Sequence, residues 1–270
     1  MEGIAEKPLI GCMMFGVTTP CVLRASSIME KAGYDVIINH AVGSGGRSME
    51  ELIRDGYITG VLDITTHEIG DEMLGGVLGA GPERMTAAGE LGIPQVIAPG
   101  GLDLINFGPK NTVPERLLKE TDQPGRGLYE HNPTVTCIGV SLDEAYRIGE
   151  HMAAKLNAAK GPSVLCVPMR GWGACDLARP NIELGWAGPG PGPVWVADTE
   201  NPAWSRRAVE YVKALRATID RNKDNLEVIL VDKHMNEPEF AELMAELLLE
   251  MLKGSWKKGN KSDLPYVIPF

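Results

Sequence analysis

The chain has 270 residues, a formal net charge of −10 and 44% hydrophobic residues. That length buries a substantial core, as one large α/β domain or two small ones. The acidic balance excludes a broad basic surface for nucleic acid, and no apolar run approaches the ~20 residues that span a bilayer, so neither partner is expected.

Residues 9–15 predict a first strand, followed by a helix over 20–31 with Thr19 as N-cap and Pro20 at its first position. A second strand is expected over 36–39, a helix from 49, and a third strand over 60–64. A helix over 82–91 leads to a fourth strand over 95–98. The segment 101–133 is rich in Pro, Gly and Asn and reads as irregular. Then come a strand over 135–140, a long helix over 142–159 and a strand over 163–167. A second irregular segment, 171–193, ends in Gly185-Trp186-Ala187-Gly188-Pro189-Gly190-Pro191-Gly192-Pro193. A strand over 194–196, a helix over 204–222, a strand over 226–231, and a closing helix plus tail over 238–270 complete the chain. Continuous apolar strands alternating with helices imply a doubly wound, mostly parallel, Rossmann-like α/β sheet with helices on both faces, here as a single domain over 1–270.

Five cysteines, Cys12, Cys21, Cys137, Cys166 and Cys175, form no CxxC pair. With the acidic, polar opening Met1-Glu2-Gly3-Ile4-Ala5-Glu6-Lys7, they lead to the expectation of a reducing, cytoplasmic location. Lys253 to Lys261 is a basic run that reads as a solvated tail.

Between the second strand and its helix stands Gly43-Ser44-Gly45-Gly46-Arg47. A glycine-rich turn opening a helix points several N–H groups at one spot, where the helix dipole favours an anion. It is neither a Walker loop nor a GxGxxG fingerprint, and a purely structural turn stays open.

In an open α/β sheet, ligands bind beyond the carboxyl ends of the strands. Those ends carry Thr18 and Thr19, His40, Thr65-Thr66-His67-Glu68, Gly100 and Gly101 with Asp103 and Asn106, and Arg170. His131 lies in the first irregular segment. Each group also has a structural reading as a cap or turn residue. Taken jointly, Gly43, Ser44, Gly45 and Gly46 would hold a phosphate or carboxylate. Thr18, Thr19, Thr65 and Thr66 would hydrogen-bond its other polar groups. His40, with Glu68 or His67, would move protons, and Arg170 would neutralise charge. Gly100, Gly101, Asp103, Asn106 and His131 complete the ligand set. Metal ligation by His67 and Glu68 stays open but has no HExxH-like spacing behind it, and Mg²⁺ beside a phosphate is the better-fitting expectation because it needs only one or two carboxylates. No GxSxG elbow is present.

The runs Met14-Phe15-Gly16-Val17-Thr18-Thr19-Pro20, His40 to Leu52, Val61 to Glu68, Gly75 to Arg84, Gly92 to Val96, and His131-Asn132-Pro133 resemble a bacterial, fungal and plant family. It includes the tomato mosaic virus resistance protein of tomato and is often labelled as having an ATP-binding domain. The resemblance implies two successive Rossmann-like domains, of which this chain is similar to the second. It also implies a homo-oligomer, or a separate chain that supplies the missing first domain.

Three functions follow as expectations. One is an enzyme or enzyme subunit, of hydrolase or lyase type, for a small anionic metabolite. The second is an ATP- or nucleotide-binding regulatory or interaction module without catalysis. The third is a scaffold half whose chemistry resides in a partner.

Overall fold

The computed structural model describes residues 7–270. The chain runs β1 (Leu9–Met14), α1 (Thr19–Lys31), β2 (Asp35–His40), α2 (Ser44–Arg54), β3 (Ile58–Thr65), α3 (His67–Leu74), α4 (Ala87–Leu91) and β4 (Gln95–Gly100). It continues with β5 (Leu104–Phe107), α5 (Glu115–Leu118), β6 (Leu128–Asn132), β7 (Val135–Gly139) and α6 (Leu142–Ala158). It closes with β8 (Ser163–Pro168), α7 (Arg206–Thr218), β9 (Leu226–Val231), α8 (Pro238–Leu252) and β10 (Val267–Ile268).

The main sheet has the order β10-β9-β8-β4-β3-β1-β2. Every pairing in it is parallel except β10 on β9. Successive strand residues face opposite sides, and both sides are covered. Val96, Ala98, Val164 and Cys166 pack against α1 and α8, beside Val22, Phe240 and Leu247. Ile97, Leu165 and Val167 face the other way, against Ile148 and Met152 of α6 and Tyr211 and Leu215 of α7. Burial on both faces explains why these strands read as unbroken apolar runs. The fold is the doubly wound α/β sheet that the sequence predicts.

Several boundaries differ. The glycine run is not a free loop, because α2 begins at Ser44. The helix expected over 82–91 survives only as α4, preceded by turns. Residues 194–196 form no strand, and the neighbouring chain makes a single bridge, Ala197 to Ser205. The strand at β7 does not join the parallel sheet. It pairs antiparallel with β5 and β6 in a separate three-stranded sheet. Its hairpin with β6 turns at Asn132, whose Oδ1 accepts the Thr134 N–H at 2.8 Å, a local turn that enforces antiparallel pairing. The segment 101–133 therefore holds two strands rather than irregular chain alone.

The direction of winding reverses at β1, whose neighbours are β2 and β3. A crevice opens at such a point beyond the carboxyl ends of the strands.

Candidate functional site

A cavity of about 370 Å³ occupies that crevice. Phe15, Gly16 and Val17 reach it from the end of β1, and His40 and Val42 from the end of β2. The small sheet supplies Leu104, Tyr129, His131, Asn132, Val135 and Cys137, while Leu78 and Cys175 complete the wall. The lining contains no carboxylate, lysine or arginine. The Phe15 ring stacks on His40 at 5.5 Å between centroids and meets the His67 ring edge-on at 4.2 Å. His40 and His131, two of the residues expected from the sequence, thus share one cavity.

The glycine run points elsewhere. The Gly43 N–H donates to Glu68 Oε1 at 2.6 Å, and the Gly46 N–H donates to the same oxygen at 3.1 Å. The anion at this helix N-terminus is the protein's own carboxylate. Arg84 Nε donates to Glu68 Oε2 at 2.8 Å, and the Arg84 guanidinium grips Asp63 at 2.5 and 2.7 Å. Glu50 lies 3.7 Å from Arg84 and accepts the N–H groups of Met85, Thr86 and Ala87, where α4 begins. Arg84, Asp63 and Glu68 are all buried. Asp63 is held by two prongs of the guanidinium, and Glu68 and Glu50 gain backbone N–H donors as well, which is what lets such a cluster exist away from water. Glu68 therefore sits in this cluster rather than in the cavity wall beside His40.

The threonines are structural neighbours of the crevice. Thr18 and Thr65 join their hydroxyls at 2.7 Å. Thr66 Oγ1 donates to the Ala98 carbonyl at 2.9 Å, and Thr19 Oγ1 to the Phe15 carbonyl at 3.3 Å. Asn106 donates through its N–H and Nδ2 to Asp71. Gly100 lies close against the backbone of Ile64, and Gly101, at φ +72°, packs against the His67 side chain. Ser44 is exposed at the start of α2.

Arg170 is not part of this crevice. It forms a two-pronged ion pair with Asp232, both contacts at 2.8 Å, and borders a separate cleft of about 620 Å³ with Arg179 and His234. His234 is buried, accepts the Asn236 N–H at Nδ1 and lies 3.2 Å from the Gly173 carbonyl at Nε2. Burial pushes its pKa down to about 4.

Two expected residues are buried without partners. Neither ring nitrogen of His67 has a hydrogen-bond partner, and neither carboxyl oxygen of Asp103 has one. Burial, and then the charge of Arg84, pushes His67 down to about 3. Burial, and then the charge of Asp176, pushes Asp103 up to about 7, against a downward pull from Arg207. Asp176 is ion-paired with Arg207 at 3.1 Å and accepts the Ser205 hydroxyl.

Sequence reasoning missed Arg84, Asp63, Asp176, Arg207, Tyr129, Cys137 and Cys175 as members of these clusters. Asp63 carried a usable signal. A carboxylate within the buried strand run Val61-Leu62-Asp63-Ile64 needs a buried cation.

A family model described as "Uncharacterised protein family (UPF0261) C-terminal domain" matches residues 7–183. The chain belongs to this family. A UPF0261 protein of Clostridium tetani is 44% identical over 248 residues, covering 92% of this chain and 54% of the relative. A UPF0261 protein of Mesorhizobium japonicum is 38% identical, covering 90% and 54%. The "ToMV resistance protein Tm-1(GCR237)" of Solanum lycopersicum is 34% identical, covering 91% of this chain and 29% of the relative. The chain thus spans about half the length of the bacterial relatives it matches. A solved chain titled "LipS and LipT, two metagenome-derived lipolytic enzymes increase the diversity of known lipase and esterase families" aligns with 92% of this chain and 95% of its own length, at 12% identity and a TM-score of 0.42. Among the described residues, no helix is long and apolar enough to cross a membrane. No group of three or more His, Cys, Asp or Glu among them is placed to hold a metal ion.

Proposed function

We propose that this UPF0261 domain binds a small, partly apolar metabolite in the strand-end cavity and acts on it, as an enzyme or enzyme subunit, by proton transfer through His40. The observation that carries this reading is the placement of two imidazoles, His40 and His131, on one cavity where the sheet changes winding direction. Imidazole is the side chain best suited to moving protons near neutral pH, and such crevices are where α/β sheets bind ligands. Hydrolysis or elimination fits, since both need proton transfer and no electron carrier.

The nucleotide-module alternative would seat phosphates on the glycine run. Gly43 and Gly46 already donate to Glu68 there, so that alternative has the weaker support. The same contacts weigh against phosphate as the recognised group. No carboxylate faces the cavity, so Mg²⁺ is assigned no step. A cytoplasmic location is in keeping with five unpaired, buried cysteines.

The test is a metabolite screen for turnover, run on the 270-residue chain and on His40→Ala. His40 is exposed, so the variant should melt within about 1 °C of wild type while kcat/KM falls roughly 10²- to 10⁴-fold. Turnover unaffected by the substitution, or stabilisation by ATP with no metabolite turned over, would refute the reading.

A further inference from the structure

With the cavity taken as the ligand site, as above, we propose that it is an aromatic clamp and that the bound metabolite enters it as a planar, unsaturated ring without charge. Two ring pairs line the cavity, one from each sheet. Just past β1 and at the end of β2, Phe15 stacks on His40, with 5.5 Å between centroids and 28° between planes. On β6 of the small sheet, Tyr129 lies 6.0 Å from His131. A flat ring is the ligand shape that meets such faces by stacking, a gain beyond its buried area.

Each pair also has a ring braced by a further ring that is not part of the wall. His67 meets Phe15 edge-on at 4.2 Å. His67 is buried and neither of its nitrogens has a partner, so its ring serves as an edge for Phe15 rather than as a polar contact. Trp186 meets Tyr129 at 5.9 Å and 75°. The Gly-Pro run noted in the sequence seats that indole. Trp186 Nε1 donates to the Gly190 carbonyl at 3.1 Å, and a side chain on Gly188 would run into the ring. Braced rings are oriented before a ligand arrives, which lowers the cost of binding.

The wall also decides charge. No lysine, arginine, aspartate or glutamate lines the cavity. A carboxylate or phosphate entering it would leave water with no cation to meet it. A ligand cation would be drawn to the ring faces, but no carboxylate on the wall balances it. His40 and His131 are exposed, and each neutral imidazole offers one donor and one acceptor. That suits a hydroxyl or carbonyl carried on the ring.

Four probes of one shape test this: 2-naphthalenemethanol, its decahydro counterpart, 2-naphthoate and 2-naphthylmethylamine, titrated by calorimetry at pH 8 into wild type, Phe15→Leu and Tyr129→Leu. Wild type should bind 2-naphthalenemethanol at least threefold more tightly than the saturated alcohol and at least tenfold more tightly than either ion. Each leucine variant should weaken the aromatic alcohol at least threefold and change the saturated one less than twofold. The wild-type ranking decides even where a variant does not fold. A saturated alcohol that binds as well as the aromatic one overturns the planar ring. An ion that matches the aromatic alcohol overturns the absence of charge. No binding by any probe overturns the clamp. Metabolite turnover that His40→Ala abolishes would uphold the cavity as the reaction site in each of these cases, so the two readings fail separately.

Discussion

Arg84 is a guanidinium with 1% of its side chain exposed and three carboxylates, Asp63, Glu68 and Glu50, within 3.7 Å. Replacing it with Met leaves Asp63 and Glu68 as buried charges without a cation. A loss of about 3–5 kcal/mol is expected in urea denaturation, far more than any surface ion pair here would cost. The buried titratable groups give a second expectation, in pH. His67 and His234 take up a proton in the fold only near about pH 3 and about pH 4, against an ordinary value of 6.5. The unfolded chain therefore binds more protons between about pH 4 and 6.5, and these two groups make stability rise with pH there. Asp71 and Asp103 keep their protons in the fold up to about pH 7, against 3.8. For them the folded chain binds more protons, and stability falls as pH rises from about 4 to about 7. The two pairs oppose each other across most of that window. Asp103→Asn removes one falling contribution, so it should gain on wild type as pH rises from 4.5 to 8, by at most about 1.4 kcal/mol per pH unit. A gap between the two proteins that stays constant with pH would contradict this assignment.

The first turn of α2 is built from residues that disfavour helix, and Glu68 compensates by taking up buried N–H groups that have no partner within the helix. Alanine at Gly46 would improve helix propensity by about 1 kcal/mol. Its Cβ, however, would stand 2.8 Å from the Glu68 carboxyl carbon and 2.9 Å from Ala80 Cβ. The collision should win, with a net loss of about 2 kcal/mol or more. Gly16→Ala, which meets nothing within 4 Å, should be nearly neutral as a control. Comparing the two midpoints in denaturant checks both. The strands and the long helices were legible in the sequence because β1, β4, β8 and β9 are covered on both faces and α6 and α8 carry one apolar face each. β5 and β6 were not, since their Pro- and Gly-rich setting hides short strands that pair only locally. His40 was legible as a site residue because the end of a parallel strand is a chemically distinct place. The capture of the glycine run by Glu68 was not, since nothing in residues 43 to 68 says which of several carboxylates is buried against it.

The whole sheet has a margin at β10 and a long-range pairing at its centre. At that margin, β10 pairs Val267 with Val231 and Ile268 with Leu230, and Phe270 lies 4.7 Å beneath the Arg221 guanidinium. Removing residues 265–270 should lower Tm by roughly 5 °C and raise light scattering, since β9 would then present an open edge. Unchanged melting and scattering would mean that β10 contributes little to protecting that edge. At the centre, β4 and β8 are immediate neighbours, and Gln95 Nε2 bonds Ser163 Oγ at a sequence separation of 68. The small sheet that walls the cavity is threaded into that span. Pairing β4 with β8 must therefore close a long loop, a step that is slow for entropic reasons. The stretch from β1 to β4 can assemble earlier through shorter connections, but its crevice then lacks Cys175, which follows β8. Competence to bind should consequently arrive late in refolding, after most helical signal has returned, so that ligand capture would serve as a clock for the final docking step.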